Sequence, residues 1–352
     1  MLTKMLKEAD LSNFPNHIVI YGQNFAQETL TEEYSAYRRE WVDRAKNYYA
    51  GDFPLHLDIE VTNNCNLRCT MCFVDFSLDK GKFIDINLFK KIIDEAAQYK
   101  LPSIKFNYRG EPLLHKQLVE MVKYAKGAGI IETQFNTNAT LLNDANSEQL
   151  ITAGLDKIIV SIDSIHPEKY NKIRVGANFE QVVKNIKRFA AIKRSLKKNT
   201  PVLRVQMVCM QENQDEIDDF IAFWRDTADQ IGLNRYKKPR NQKESRGIVD
   251  YAQQAGPCPQ IFQRLVIGCD GKVTMCCGDT SREVVLGDAY KTPVARIWQG
   301  ETLNNIRRMH REYRFDEIAP CRLCSINWHS QGEEWNWLPG IKEYARLSKN
   351  VE

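Results

Sequence analysis

The chain of 352 residues is 43% hydrophobic and 27% charged, ordinary for a globular protein large enough for a barrel core and an appended module. Its net charge of +4 is spread along the chain and leaves no nucleic-acid footprint; no apolar stretch approaches the roughly 18 residues of a membrane helix. The first residues, Met1-Leu-Thr-Lys, lack the apolar run of a signal peptide, so the ten cysteines are expected to ligate metal in a reducing cytoplasm.

Residues 1–50 are expected to form a helical extension, because Leu30, Tyr34, Tyr37, Trp41 and Ala45 recur at helical spacing. A strand–helix rhythm follows. Strands are expected at Leu55–Val61, Ser103–Tyr108, Glu132–Asn136, Lys157–Ile162, Leu203–Cys209 and Gly232–Tyr236. Helices are expected at Asn87–Gln98, from Leu118 to Gly127, and at Ser147–Ala153, Asn178–Arg194 and Gln214–Ala228. This alternation implies parallel βαβ units and an α/β fold, a partial (β/α)6 TIM-like barrel over residues 51–236. Such barrels carry their sites at the carboxyl ends of the strands. A linker follows at 237–257, then a small module at 258–330 and a tail at 331–352. The linker's basic residues, Lys237, Lys238, Arg240, Lys243 and Arg246, read as a solvated loop, with phosphate or acidic-substrate contact as the alternative. Trp328, His329, Trp335 and Trp337 read as packing over the module, or as a substrate-facing lid.

Cys65, Cys69 and Cys72 form a Cys-x3-Cys-x2-Cys triplet just after the first barrel strand. Three such thiolates can each take one iron of a cubic cluster and leave the fourth iron open. The alternatives are a zinc site lacking one ligand and thiols that happen to be close. The triplet and its setting resemble the radical S-adenosylmethionine (radical SAM) superfamily. That resemblance implies a [4Fe–4S] cluster whose open iron is chelated by S-adenosylmethionine. It also implies cleavage to a 5′-deoxyadenosyl radical that abstracts hydrogen from a substrate, with the protein supplying binding and orientation.

Three further polar groups fall at the same rim: Arg109–Pro112 after strand two, Thr137–Ala139 after strand three and Ser161–Asp163 at the end of strand four. Arg109-Gly110-Glu111-Pro112 is similar to the family's Gly-Gly-Glu-Pro motif, which implies that Glu111 accepts a hydrogen bond from the methionyl amino group. Arg109 replaces the first glycine, which puts the local loop conformation in question. The resemblance also implies that Ser161 and Arg174 hold the ribose and the methionyl carboxylate. It places Asn138 at a polar cofactor contact and the Met71 backbone at the adenine. Local alternatives for Ser161, Arg174 and Asn138 are a strand-end cap, a helix-surface ion pair and an Asx-turn.

Cys258, Gly271 and Cys276, then Cys321-Arg-Leu-Cys324, resemble the opening of the SPASM module and its shortened twitch version. Ser330 stands where the full module has its next cysteine. The resemblance therefore implies four ligands, enough for one auxiliary [4Fe–4S] cluster, while a four-cysteine zinc site is the alternative. Cys209, Cys269 and Cys277 are left over. Cys209 is a candidate hydrogen donor at the end of strand five, or a buried apolar cysteine. Cys277 could replace its neighbour as a ligand.

Relatives of the one-cluster type include dehydrogenases of aminocyclitol and sugar alcohols. The expected activity is therefore oxidation of an alcohol to a ketone on a carbohydrate-like or aminocyclitol-like small molecule. The auxiliary cluster takes the electron, and a flavodoxin or ferredoxin is the expected electron donor. Radical epimerisation, with Cys209 or Cys277 quenching the radical, and modification of a ribosomal peptide are the alternatives within enzymes. A non-catalytic iron–sulfur or zinc protein is the alternative outside them. The expected partners exclude nucleic acid and membrane, and the expected location is the cytoplasm.

Overall fold

In the computed structural model, residues 17–21, 31–74, 81–238, 245–247, 257–322 and 324 are described. Six parallel strands follow one another across the sheet: β2 (His56–Ile59), β3 (Ser103–Lys105), β4 (Glu132–Thr137), β5 (Lys157–Ser161), β6 (Val202–Cys209) and β7 (Gln230–Arg235). The intervening helices include α2 (Ile86–Gln98), α3 (Leu118–Gly127), α4 (Asp144–Thr152), α5 (Pro167–Ile173), α6 (Phe179–Ser195) and α7 (Ile217–Trp224). This is the expected partial barrel. Asp85, Asn143 and Asn178 cap α2, α4 and α6 by accepting from backbone N–H groups of the first turn, which otherwise lack partners.

Side chains alternate across each strand with a period of two. Leu57, Ile104, Ile158, Val205 and Met207 are fully buried and share one core with Phe89, Ile93, Met121 and Ile186 of the helices. Their strand neighbours Lys105, Gln134, Asn136, Lys157, Arg204 and Gln206 line a cavity instead. The core therefore lies between sheet and helices, and the barrel interior is polar.

Three elements differ from the sequence expectation. The extension expected to be helical also holds a strand, β1 (His17–Tyr21), antiparallel to β7. Its β-branched Ile18-Val19-Ile20 favours extended backbone, and the edge of β7 offers free ladder groups. The helix of the extension is α1 (Glu32–Asn47), capped by Thr31. It closes the amino-terminal end of the barrel: the Trp41 ring lies 6.2 Å from His56, and Gln263 Nε2 donates to Trp41 O at 2.6 Å. The helix expected over Gln214–Ala228 is a 3-10 turn at Gln214–Glu216 followed by α7. Helix α5 was absent from the expected elements because seven residues are too few to show a periodicity.

The carboxyl-terminal module continues the same sheet. Its β8 (Arg264–Ile267) pairs parallel with β2, and β9 (Lys272–Thr274) and β10 (Val285–Asp288) follow antiparallel. Helices α8 (Val294–Trp298), α9 (Glu301–Arg311) and α10 (Ala319–Arg322) complete its described part. Of the basic linker run, Arg246 donates to Thr70 Oγ1 at 2.5 Å, while Arg240 and Lys243 lie outside the described residues. So do Ser330, Trp328, His329 and the tail from 331. Among the described residues no helix is long and apolar enough to cross a membrane.

One buried carboxylate joins barrel to module. Glu60, fully buried just after β2, accepts from Arg109 Nε at 2.7 Å and Arg109 Nη2 at 3.1 Å. It also accepts from Cys269 N and Arg282 Nη2, each at 3.2 Å, and Arg282 reaches on to Asp270 at 2.6 Å. Removing one partner of a buried pair costs about 3–5 kcal/mol. Arg109→Met should fall toward the lower end, because Arg282 still faces Glu60. The denaturant midpoint of the variant measures this loss, and an unchanged midpoint would contradict it.

Candidate active site

The loop after β2 carries the cysteine triplet. It is pinned on one side by Thr62 Oγ1, which donates to Lys82 O at 2.6 Å, and by Lys82 N, which donates to Asn63 Oδ1 at 2.6 Å. On the other side Arg68 N and Thr70 N donate to Val175 O and Ile173 O, both at 2.9 Å, just beyond and at the end of α5. Cys72 N donates to Cys69 O at 3.1 Å, which curls the loop back on itself. The three thiols are half-buried. Burial first, then nearby Glu111 and the sister thiols, push the Cys65 thiol up to about 11, and burial likewise raises Cys72. Iron bound to the sulfurs would relieve this crowding of potential negative charge, so the donor set fits a cluster.

Among the described residues no three His, Cys, Asp or Glu side chains gather as ligands of a single ion. A cubic cluster asks less, since each thiolate takes a different iron.

Beside the triplet, the loop after β3 presents Glu111. Gly110 has φ +72°, and a Cβ there would lie 2.3 Å from Thr62 O and 2.7 Å from Asn64 O, so only glycine fits. Arg109 occupies the position of the other expected glycine without strain, because its side chain turns away to Glu60. Glu111 N donates to Asn64 O at 2.7 Å, which ties this loop to the triplet loop. The carboxylate, 2% exposed, accepts from Thr137 Oγ1 at 2.7 Å, Asn138 N at 2.8 Å and Leu113 N at 3.1 Å. Burial pushes it up to about 7, while these three donors and Arg174 pull it down.

Arg174, just past α5, donates to Asp163 Oδ2 at 2.6 Å and approaches Cys69 Sγ at 3.7 Å. Its guanidinium therefore stands at the cluster face. Asp163 is fully buried and also accepts from Val208 N at 2.9 Å. The sequence places Asp163 at the rim but does not pair it with Arg174, because two residues 11 apart across a loop leave no periodic signal. Asn138 Nδ2 donates to Asn66 Oδ1 at 3.0 Å and lies 4.0 Å from Cys65 Sγ. Its Oδ1 accepts from Thr140 N at 3.0 Å, an Asx-turn that holds the side chain over the triplet. Ser161 ends β5 on the same face as Lys157 and Ile159, which line the cavity. Met71 lines the cavity too and packs with Ile173, Met210 and Tyr236.

Cys209 requires a correction. The cavity face of β6 is formed by Arg204, Gln206 and Val208, and the alternation turns Cys209 to the opposite face. There it is 1% exposed within the apolar core, with its thiol raised by burial. It cannot serve as a hydrogen donor to a substrate in the barrel.

The module brings Cys258, Cys276, Cys321 and Cys324 within electrostatic reach of one another, with Cys277 among them. Fully buried His310 braces two of them: Cys258 N donates to His310 Nδ1 at 3.1 Å, and His310 Nε2 lies 3.4 Å from Cys321 Sγ. Burial lowers His310 to about 4, so its ring is neutral and one nitrogen accepts while the other donates. The spacing of the cysteines gave no hint of His310. Cys277 Sγ lies 3.9 Å from Gln260 Oε1, and a thiolate there would interact with Lys105 and Arg264, which, like Gln260, line the cavity. Cys269 donates its backbone N–H to Glu60 and is a structural residue.

A cluster loop at the rim of a partial barrel and a second cysteine site in a sheet-extending module define a class. Residues 59–223 match the Radical SAM superfamily and residues 258–325 match SPASM, an iron–sulfur cluster-binding domain. The chain therefore carries a radical SAM domain, which binds a [4Fe–4S] cluster and S-adenosylmethionine, and a SPASM domain, which binds further iron–sulfur.

The chain is 28% identical over 266 residues to the tungsten-containing aldehyde ferredoxin oxidoreductase cofactor-modifying protein of Pyrococcus furiosus, covering 74% of each. Other curated relatives are matched over 43% to 66% of their length. Among solved structures, anSMEcpe with bound AdoMet superposes with a TM-score of 0.63 at 14% identity, covering 85% of this chain and 100% of that one. BtrN in complex with AdoMet and 2-DOIA superposes with a TM-score of 0.51 at 18% identity, covering 77% and 92%.

Glu111→Gln removes the charge but keeps the shape. A charge-assisted hydrogen bond lost in this way costs about 1.5–3 kcal/mol. Affinity for S-adenosylmethionine should fall by about one to two orders of magnitude in equilibrium binding to the reconstituted protein. Unchanged affinity would move the amino-group contact to another residue.

Proposed function

We propose that the protein oxidises an alcohol of a small polyhydroxylated molecule to a ketone, with Cys258, Cys276, Cys321 and Cys324 holding one auxiliary cluster as electron acceptor. The cofactors, when bound, supply the radical that removes a hydrogen atom and the acceptor for the electron that remains. The protein's part is placement. Glu111 would accept from the methionyl amino group, Arg174, oriented by Asp163, would face the methionyl carboxylate, and Ser161, Asn138 and the Met71 backbone would complete the cofactor cradle.

The observation that carries this reading is the position of the four-cysteine site. It adjoins the barrel through Gln260, which follows ligand Cys258 by two residues and lines the cavity. An acceptor there lies beside the substrate rather than at a remote surface. The wall also carries Gln134, Asn136, Gln206 and Asn234, amides that can both donate to and accept from sugar hydroxyls. The floor formed by α1 favours a compact substrate over a peptide running through the barrel.

Cys277 supports a second reading, radical epimerisation, because it stands near the cavity wall, whereas Cys209 does not. Product analysis separates the two. Under the oxidation reading, iron analysis gives about eight irons per chain, two cubes of four. A Cys321→Ala/Cys324→Ala variant then still forms 5′-deoxyadenosine but no ketone, and Cys277→Ala retains ketone formation. An epimerised product lost in Cys277→Ala would replace oxidation by epimerisation.

A further inference from the structure

His310 lies on the last turn of α9, fully buried where cysteines from both ends of the module meet. Its ring is fixed in place. Phe315 stacks against it at 5.7 Å with the planes 27° apart, and Cys258 N donates to its Nδ1 at 3.1 Å. The other ring nitrogen, Nε2, faces Cys321 Sγ at 3.4 Å, within the reach of a hydrogen bond to sulfur.

The tautomer follows from this geometry. A backbone N–H only donates, so Nδ1 must offer its lone pair and cannot carry a proton. An imidazole keeps at least one N–H, which leaves the proton on Nε2, aimed at the Cys321 sulfur. The chain around that sulfur is shaped for a cluster. Cys324 N donates to Cys321 O at 3.0 Å, the same backward curl that Cys72 N makes to Cys69 O at 3.1 Å in the first cysteine loop. A brace for the Cys258 amide alone would need one acceptor and nothing more. Histidine adds a donor on its far side, and that donor points at a ligand.

A cluster that takes one electron gains one negative charge, shared by its irons and sulfurs. An N–H donated to a ligand sulfur stabilises the reduced form more than the oxidised one, and so raises the reduction potential. Burial strengthens the effect, because the bond acts in a low-dielectric surrounding. We infer that His310 is a positioning residue that donates Nε2–H to the Cys321 ligand sulfur and raises the potential of the auxiliary cluster, which makes it a better acceptor of the substrate's electron. This rests on the four-cysteine cluster proposed above and assigns the residue that tunes it.

The test is a redox titration, followed by EPR, of the full chain reconstituted with its clusters. The auxiliary signal is the one that persists when Cys65, Cys69 and Cys72 are all replaced by Ala. His310→Asn places an amide at the distance of Nδ1, where it can still accept from Cys258 N, but it reaches no further. Its auxiliary midpoint should fall by about tenfold in the reduction equilibrium, about 59 mV for a one-electron couple. His310→Gln places an amide N–H at the distance of Nε2 and should recover most of that shift, a rescue that a merely structural role does not give. In wild-type protein carrying 15N-histidine, pulsed EPR of the reduced auxiliary cluster should show the weak nitrogen coupling of a hydrogen bond. The strong coupling of a nitrogen bound to iron, or no coupling, overturns the inference, and so does an unchanged midpoint in His310→Asn. Should His310→Asn fail to hold the auxiliary cluster, the wild-type coupling decides. Iron analysis keeps the two readings apart. About four irons per chain, or zinc at the site, sinks the cluster reading and this inference with it, whereas about eight irons with an unmoved midpoint sinks this inference alone.

Discussion

Everything at the rim depends on the Glu60 carboxylate. It sits between β2 and the cysteine triplet, fully buried, and four donors from three segments converge on it. Arg109 belongs to the loop that presents Glu111, Cys269 lies in the turn between β8 and β9, and Arg282 leads into β10. Taking a carboxylate out of water costs several kcal/mol, and only a full set of well-aimed donors offsets it. The arrangement therefore tolerates little play. Movement of the Glu111 loop or of the module would leave the charge uncompensated, so the cofactor face and the auxiliary site share one reference point. The arginine that departs from the family motif is part of this anchor.

The electrostatics divide the molecule by height along the barrel. Thiols, Glu111 and Asp163 crowd the rim with groups that are negative when ionised, and Arg174 and Arg68 stand among them as cations. Positive charge gathers in the chamber below. A rim of this sign suits iron and a cofactor that carries a sulfonium and an ammonium group. Opposite ends of one reaction space are thus distinguished by charge, which helps orient whatever occupies it.

The interior also departs from the packed layers of branched side chains that fill closed eight-stranded barrels. Here six strands leave the barrel open on one side, α1 closes one end, and the side chains facing in are long and polar. Stability is left to the apolar layer between sheet and helices, where Leu57, Ile104, Val160 and Met207 are fully buried. Separating the two tasks frees the interior to carry polar groups that a packed core would reject.

The sequence by itself determined the order of elements, because strand and helix periods are local and each segment writes its own pattern. It also singled out the metal-ligand candidates, since Cys65, Cys69 and Cys72 lie on one short loop and need no distant partner to be noticed. Gly110 and Glu111 were legible for the same reason. Tertiary structure decided what crosses between segments. Asp163 behind Arg174, His310 between Cys258 and Cys321, and Glu60 under Arg109 are pairings over 11 to 52 residues that leave no spacing signal. It also decided the fate of Cys209, because one step along a strand exchanges the cavity for the core. The strand at His17–Tyr21 depended on a free edge of β7, a long-range circumstance invisible in five residues. The charged chamber needed both levels: the alternation is written in each strand, but only closing the barrel turns scattered lysines and arginines into one wall.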